Sequence, residues 1–380
     1  MTEIFRAAIQ RGASDIHLKA GDVVRARIHG QLVPLTQQRL NQDQLRALAL
    51  KLIPRQSDRE RIDDLTDYDC SWGMAGLGRF RVNILRQRGS LMIVMRVIPF
   101  EVPTFEELRL PSILEKISAH ERGLILVTGV TGSGKSSTMA AMVHHINRTW
   151  SRHVVTLENP IEFLHRDQKS SITQRDVGTD TLNFNDGLRA ALRQDPDVIL
   201  IGEMRDTETI DIALKAAETG HLVISTVHTQ DAVQTISRLI AVFNRSEQEM
   251  ARIRLSETLQ AIISQRLLPR ADRSGRVVAC EVMVVTGTIR DHIRDPDRVA
   301  EIVDLIADGR DHYGSQTFDQ HLTELVRDDL VSFDVAKAAA SNPSDFELKM
   351  KFFEDGGSTG SGGGMQDQFS AGDPTFTREG

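Results

Sequence analysis

Residues 129–136 constrain this chain more than any other feature of its sequence. They read Gly-Val-Thr-Gly-Ser-Gly-Lys-Ser and satisfy the pattern G-x-x-x-x-G-K-[ST]. The apolar run 124–128 before them is typical of a buried strand, and residues 136–147 after them have a helical pattern. Backbone N–H groups of such a glycine-rich loop converge on phosphate oxygens at the start of a helix, where the helix dipole adds positive potential. The sequence therefore predicts a phosphate-binding loop, and the plain alternative is a glycine-rich turn that binds nothing.

Two side chains of this loop have defined chemistry. We expect Lys135 to reach the β- and γ-phosphate oxygens of a nucleoside triphosphate, and the Ser136 hydroxyl to ligate Mg²⁺. The residues predicted to bind the nucleotide are Gly129, Thr131, Gly132, Ser133, Gly134, Lys135, Ser136 and Ser137.

The pattern after residue 113 predicts an α/β domain. Strand candidates alternate with helices at the rhythm of βαβ units, which favours a doubly wound parallel sheet. Residues 232–348 read as mostly amphipathic helices with one strand candidate at 276–285. The other strand candidates are 124–128, 154–157, 197–201 and 221–226.

Residues 1–98 read as a smaller α+β domain. In the strand candidate 78–86, Phe80, Val82 and Ile84 alternate with Arg79, Arg81 and Asn83, so one face should be buried and the other should carry cations. Three prolines mark residues 99–112 as an extended linker, and 113–350 then form the second domain. The Gly/Ser-rich segment 351–380 is predicted to be disordered.

Composition excludes several classes of protein. The net charge is −7 and aromatic residues make up 5% of the chain, which argues against a nucleic-acid partner and against a RecA-like nucleic-acid motor. No apolar run approaches the ~20 residues of a membrane span, and the N-terminus lacks the pattern of an export signal, so we expect a cytoplasmic protein. The two cysteines, Cys70 and Cys280, form no C-x-x-C pair, which leaves no zinc ribbon.

Two predicted strands lead into carboxylates. Strand 197–201 is followed by Gly202 and Glu203, and strand 154–157 by Glu158. Ligands collect at the carboxyl ends of strands in an open parallel sheet, so one acid could hold a metal and the other could act as general base toward water. Alternatively, Glu158 only caps the turn at Pro160. His221 and His228 flank the next strand, where they could contact a γ-phosphate or be structural.

Taken together, these motifs resemble the secretion ATPase superfamily and, within it, the PilT-like type IV pilus retraction motors. The resemblance runs from the start of the chain to about residue 349, so only the tail lies outside it. It rests on five ordered segments: the N-terminal signature 12–18, the Walker A box 129–136, the aspartate box 158–162, the Walker B box 195–206 and the histidine box 220–229.

The resemblance implies a RecA-like ATPase domain preceded by a PAS-like domain, with ATP and Mg²⁺ as ligands. It implies Glu158 as general base, Glu203 as the Walker B glutamate and metal ligand, and His221 and His228 as contacts on the γ-phosphate side. It also implies arginines that reach the nucleotide from the N-terminal domain, for which Arg81 and Arg96 match best. The alternative is that these arginines only solvate a sheet face.

The family further implies a homohexamer that docks beneath the inner-membrane pilus platform protein and retracts the filament, with a paralogous motor ATPase as a further partner. Absence of a tetracysteine zinc insertion favours retraction over extension. However, of the family's Ala-Ile-Arg-Asn-Leu-Ile-Arg element, residues 288–294 keep only Ile289, Arg290, Ile293 and Arg294. Asn159 also stands where many members have Asp. These departures motivate a second hypothesis, an accessory ring with weak hydrolysis that assists a principal motor.

Overall fold

A computed structural model of the 380-residue chain describes residues 1–356, apart from 75, 99–100 and 274. The N-terminal part is a six-stranded antiparallel sheet with strand order β3-β2-β1-β6-β5-β4. Its helices are α1 (Thr2–Gln10), α2 (Gln42–Leu52) and α3 (Gln56–Glu60). Its strands are β1 (Ala13–Lys19), β2 (Val23–Ile28), β3 (Gln31–Arg39), β4 (Asp67–Met74), β5 (Gly78–Gln87) and β6 (Ser90–Ile98).

One face of this sheet forms the core of the N-terminal domain. Phe80, Val82 and Ile84 of β5 are at most 1% exposed, which confirms the alternation predicted for this strand. The ring of Phe80 lies 5.9 Å from that of Phe5 on α1 and 5.7 Å from that of Trp72 on β4. This aromatic cluster fixes α1 on the sheet, and the opposite face keeps the arginines.

The C-terminal part is a seven-stranded sheet with strand order β13-β12-β7-β11-β10-β8-β9. All neighbouring strands are parallel except β12 and β13. This arrangement and the α+β domain before it confirm the predicted α/β fold class. The strands are β7 (Gly123–Thr128), β8 (His153–Glu158), β9 (Ser171–Asp176), β10 (Val198–Ile201), β11 (Leu222–Val227), β12 (Leu259–Pro269) and β13 (Arg276–Val284).

Helices cover both faces of this sheet. Leu124 and Leu126 of β7 pack into one apolar cluster, and Ile125 and Val127 pack into a second cluster on the other face. A strand buried on both sides reads as a continuous apolar run, as β7 does. The helices are α4 (Ile113–Ser118), α5 (Lys135–Thr149), α6 (Phe184–Ala191), α7 (Thr207–Glu218), α8 (Ala232–Ala241), α9 (Gln248–Thr258), α10 (Gly287–Arg294), α11 (Ile302–Asp308), α12 (Arg310–Tyr313), α13 (Phe318–Arg327), α14 (Phe333–Ala339) and α15 (Pro343–Gly356), with a 3₁₀ turn at Val299–Glu301.

The structure differs from the sequence-based expectation in three segments. Residues 259–269 were expected to be helical and are the interior strand β12, and residues 171–176 form the edge strand β9. Helix α15 extends to Gly356, into the segment 351–380 that we expect to be disordered. The rest of that segment, 357–380, lies outside the described residues. Within the described part of the chain, every helix is too short or too polar to span a lipid bilayer.

Candidate functional site

The phosphate loop, residues 129–136, joins the end of β7 to the start of α5. Gly129 has φ 141°, and a Cβ atom there would lie 2.5 Å from Ser133 Oγ and 2.6 Å from the Gln265 carbonyl oxygen, so only glycine fits. Helix α5 has Gly134 at its N-cap and no side chain bonded to its first turn. The N–H groups of this turn therefore face an anion site with the positive end of the helix dipole.

Lys135 is buried and folded back over the loop. Its Nζ donates hydrogen bonds to the carbonyl oxygens of Gly129 at 2.8 Å and Val130 at 3.0 Å. Burial lowers the pKa of Lys135, while the negative charges of Glu162 and Glu203 raise it. The loop carbonyls thus hold the ammonium group of Lys135 beside the site where a phosphate would bind, within the electrostatic influence of Glu162 and Glu203.

An open cavity of about 440 Å³ adjoins the loop. It brings together most of the predicted nucleotide-binding residues, both predicted carboxylates and one predicted histidine. Gly129 and Ser133 lie behind it, where Ser133 is 1% exposed. The predicted residues that line it are Thr131, Gly132, Gly134, Lys135, Ser136, Ser137, Glu158, Glu203 and His228.

Glu158 ends β8 inside this cavity. Its Oε1 accepts hydrogen bonds from Thr156 Oγ1 at 2.6 Å and from Gln174 Nε2 at 3.1 Å. Burial raises the pKa of Glu158 above its ordinary value, although hydrogen bonds from Thr156, Gln174 and the Glu162 backbone oppose this shift. Glu158 therefore both closes the turn after β8 and presents a carboxylate with raised proton affinity.

Glu203 follows the end of β10, and His228 follows the end of β11. Arg205 Nη2 lies 2.7 Å from Glu203 Oε2, and His228 Nε2 lies 3.6 Å from the same oxygen. The two strands are parallel neighbours, so their carboxyl ends deliver both side chains to one edge of the sheet. The predicted approach of Glu203 to the phosphate loop is thereby explained by topology.

His221 lies apart from the other predicted site residues of this chain, and its predicted contact on the γ-phosphate side stays a prediction. This residue precedes the first residue of β11, and its Nδ1 lies 3.0 Å from the carbonyl oxygen of Ala216. It therefore sits at the amino end of β11, whereas the phosphate loop lies at the carboxyl ends of the strands. A six-residue strand spans about 20 Å, so His221 does not reach the phosphate loop of its own chain.

Arg81 and Arg96 also lie away from the cavity. They are cross-strand neighbours on β5 and β6, and Arg96 Nε lies 2.9 Å from Asp15 Oδ1 on β1. Like charges directly opposite each other on a sheet repel, so this pair of guanidinium groups favours a bound anion. Their predicted role toward a nucleotide stays a prediction, and within this chain they do not line the phosphate site.

Sequence reasoning missed several residues that line the cavity. Glu162 lies in the same box as Glu158 and could have been proposed from its spacing. Arg276 is the first residue of β13, and only the folding of the chain brings it to the cavity. His165 lines it too, and burial lowers the pKa of its imidazole to about 4. His165 is therefore neutral at pH 7, and it contributes no charge to the site.

Comparison with known proteins was made for the whole chain. The model of the family described as type II/IV secretion system protein matches residues 1–328. The type IV pilus retractation ATPase PilT of Pseudomonas aeruginosa is 43% identical over 346 residues, which are 91% of this chain and 99% of that protein. The type IV pilus ATPase PilU of the same organism is 36% identical over 351 residues, 92% of this chain and 91% of that one.

A solved structure is similar over the same length. The crystal structure of the pilus retraction motor PilT with bound ADP superposes with a TM-score of 0.83 at 43% identity, covering 92% of this chain and 99% of that chain. Both the sequence and the fold therefore match along nearly the whole chain. The chain belongs to the type II/IV secretion system protein family, within its PilT-like ATPases.

Proposed function

We propose that this chain is a Mg-ATP-hydrolysing motor that powers retraction of a type IV pilus. The observation that carries the proposal is the shared cavity of the phosphate loop, Glu158 and Glu203. A loop that grips phosphates binds a nucleotide, and two carboxylates beside it add the means to hydrolyse one. Support also comes from the similarity to PilT, whose crystal structure contains ADP.

In this proposal Glu158 is the general base. Its raised pKa suits the task, because a carboxylate with higher proton affinity accepts a proton from the attacking water more readily. The bonds from Thr156 and Gln174 keep its Oε1 in one position. Lys135 leaves the loop carbonyls to bind the phosphates, and His228 lies beside Glu203 as the contact for the γ-phosphate side.

The residues present also fit a magnesium ion. Mg²⁺ prefers oxygen ligands and is usually held by one or two carboxylates together with substrate phosphates. The Ser136 hydroxyl and the Glu203 carboxylate both line the cavity and supply such oxygens. Ser136 and Glu203 would hold the ion, whose charge would offset that of the phosphates, and Glu203 already pairs with Arg205.

The two arginines of the N-terminal sheet suit a ring of subunits. Arg81 is exposed and Arg96 is paired with Asp15 on the same face, so this face can meet the nucleotide of a neighbouring subunit. A homohexamer, implied by the family resemblance, provides that neighbour. Within its own chain His221 lies at the opposite edge of the sheet from the phosphate loop. The ring would act in the cytoplasm, at the inner-membrane platform protein of the pilus.

ATP turnover of the purified full chain tests the enzyme part of this proposal. Phosphate release should fall at least a hundredfold in Lys135→Ala and in Glu203→Gln, since each removes a charged group from the phosphate site. Lys116→Ala is the matched control, because Lys116 is exposed on α4 and does not line the cavity. Equal turnover by all four proteins would rule out this site as the ATPase centre.

A second function is favoured by helix α10. Its sequence 288–294 keeps Ile289, Arg290, Ile293 and Arg294 of the retraction element, and the two isoleucines are at most 1% exposed. The changed position His292 is also buried, and its Nδ1 lies 2.8 Å from the Thr288 carbonyl oxygen, so an imidazole occupies a position inside the packed face of the helix. The second candidate function is therefore an accessory ring that assists a principal motor. The type IV pilus ATPase PilU is also similar to this chain, over 92% of its residues.

Complementation separates the two functions. The wild-type chain is expressed in a strain that lacks its retraction motor, and twitching is scored, with Lys135→Ala as the inactive control. Restored twitching supports the principal motor. No restoration by a chain that forms rings and hydrolyses ATP supports the accessory role.

A further inference from the structure

Asp176, at the end of β9, joins the N-terminal domain to the C-terminal domain. Its side chain is 4% exposed. Ser71 Oγ on β4 donates a hydrogen bond to Asp176 Oδ2 at 2.6 Å, and Arg79 Nη2 on β5 forms an ion pair with the same oxygen at 2.9 Å. A buried carboxylate requires such partners, because an unpaired charge away from water is strongly unfavourable. We call these three residues the domain clasp.

The clasp lies next to the proposed general base. Asp176 is the direct partner of Glu158 in the parallel pairing of β8 with β9. The Val177 N–H donates to the Glu158 carbonyl oxygen at 2.8 Å, and the Ile161 N–H lies 3.4 Å from Asp176 Oδ2. The backbone at Glu158 and in the turn after it is therefore bonded to Asp176 and to its neighbour Val177.

Gln174 completes the connection. It lies two residues before Asp176 on β9, so both side chains project from the same face of the strand. Gln174 Nε2 donates to Glu158 Oε1 at 3.1 Å and to the Phe163 carbonyl oxygen at 2.9 Å. One face of β9 thus bonds the N-terminal domain through one residue and the Glu158 carboxylate through another.

The position of β9 makes it suited to transmit a movement. It is the last strand of its sheet and pairs with β8 alone among the strands of the described residues. An edge strand has one ladder of backbone bonds to hold it, so a displaced clasp can shift it more easily than a central strand.

We propose that Asp176 is a positioning residue that transmits the pose of the N-terminal domain to Glu158 through β9. The inference rests on the proposed function, in which Glu158 is the general base. With the clasp closed, Gln174 holds the Glu158 carboxylate in the cavity. When the N-terminal domain moves away, Asp176 loses Ser71 and Arg79, and the support of Glu158 loosens. Hydrolysis then depends on the relative pose of the two domains.

The kinetic test removes the contacts that the N-terminal domain makes with Asp176. Arg79→Gln and Ser71→Ala leave the C-terminal domain unchanged in sequence, and Arg79→Lys keeps the charge. We expect kcat for ATP to fall roughly tenfold in Arg79→Gln, because a small displacement of a catalytic group lowers the rate of the chemical step. The Kd for fluorescent ADP should stay within about twofold of the wild-type value. Arg79→Lys should recover part of the rate.

The matched control is Arg46→Gln. Arg46 also lies in the N-terminal domain and forms an ion pair with Asp63 at 2.7 Å, but both side chains are well exposed. This variant should keep the wild-type kcat. Equal loss of activity in Arg46→Gln and Arg79→Gln would overturn the proposal, because loss of any ion pair in the N-terminal domain would then lower activity.

Hydrogen exchange provides a readout that does not depend on activity. In Arg79→Gln, amides of residues 159–176 should exchange at least several times faster than in the wild type, although the substitution lies in the other domain. If the wild type hydrolyses ATP and Arg79→Gln has both the exchange rates and the kcat of the wild type, the coupling is refuted and the proposed function is kept. A wild-type chain without turnover would instead refute the proposed function, and the exchange data would still decide whether the two domains are coupled.

Discussion

Substitution of Gly129 by alanine tests whether the phosphate loop has the backbone that its function requires. The residue has φ 141°, a conformation that L-residues other than glycine rarely adopt, and this strain costs about 1–3 kcal/mol. The new Cβ would also lie 2.6 Å from the Gln265 carbonyl oxygen, on the backbone of β12, which cannot rotate away. Overpacking of this kind adds about 1–3 kcal/mol. We therefore expect Gly129→Ala to lose about 2–6 kcal/mol of the free energy of unfolding of the C-terminal domain.

Gly30→Ala is the matched control for this measurement. Gly30 also has a positive φ, 80°, but a Cβ there meets nothing within 4 Å, so its cost is backbone strain of about 1–2 kcal/mol. Urea unfolding followed by circular dichroism gives both free energies, and titration with a fluorescent ATP analogue gives the affinity. Gly129→Ala should also lose nucleotide binding, which Gly30→Ala keeps. A Gly129→Ala protein as stable as Gly30→Ala, with wild-type affinity, would refute the reasoning.

Two further predictions concern stability. Burial raises the pKa of Glu281 from 4.5 to about 7, so its contribution to stability is complete below pH 4.5 and about 3 kcal/mol is lost as the pH rises through 7. Glu281→Gln removes this loss, so its free energy of unfolding in urea should be higher than that of the wild type at pH 8 but not at pH 4.5. A gain in this free energy that is independent of pH would contradict the raised pKa of Glu281. Phe80→Ala should cost the N-terminal domain about 3–5 kcal/mol, because the ring is fully buried. Nucleotide affinity measured by the same titration should persist, and its loss would contradict the separation of the two domains' cores.

Local signals were sufficient where a segment's own residues determine its structure. Helix α7 (Thr207–Glu218) has local signals of this kind, because Asp206 caps its first turn and its apolar residues repeat with helical spacing. The phosphate loop is a second example, since Gly129, Gly132 and Gly134 have positive φ angles that other residues rarely adopt.

Long-range pairing explains the segments that sequence reasoning missed. The apolar residues of β12 fit a helical stripe as well as a buried strand, and their pairing with β7, more than a hundred residues earlier, decides between the two. Strand β9 is polar and has no stripe at all, so it becomes a strand only because β8 lies beside it. Its importance for Glu158 was therefore invisible in the sequence.

The site was predictable to the extent that parallel strands share one edge. Glu158 ends its strand, Glu203 and His228 follow theirs, and all three line the cavity, while His221 precedes its strand and lies at the other edge. Arg276 enters the cavity from an antiparallel strand, for which the rule gives the opposite edge.

A crystal structure of the chain with a non-hydrolysable ATP analogue and Mg²⁺ tests the central claim most directly. We predict that the β- and γ-phosphates lie against the backbone N–H groups of residues 130–136, with Lys135 Nζ moved from the carbonyl oxygens of Gly129 and Val130 onto the phosphates. Glu158 and Glu203 should face the γ-phosphate from the same cavity. An analogue bound elsewhere, or a Lys135 that keeps its loop contacts with the analogue bound, would contradict the account.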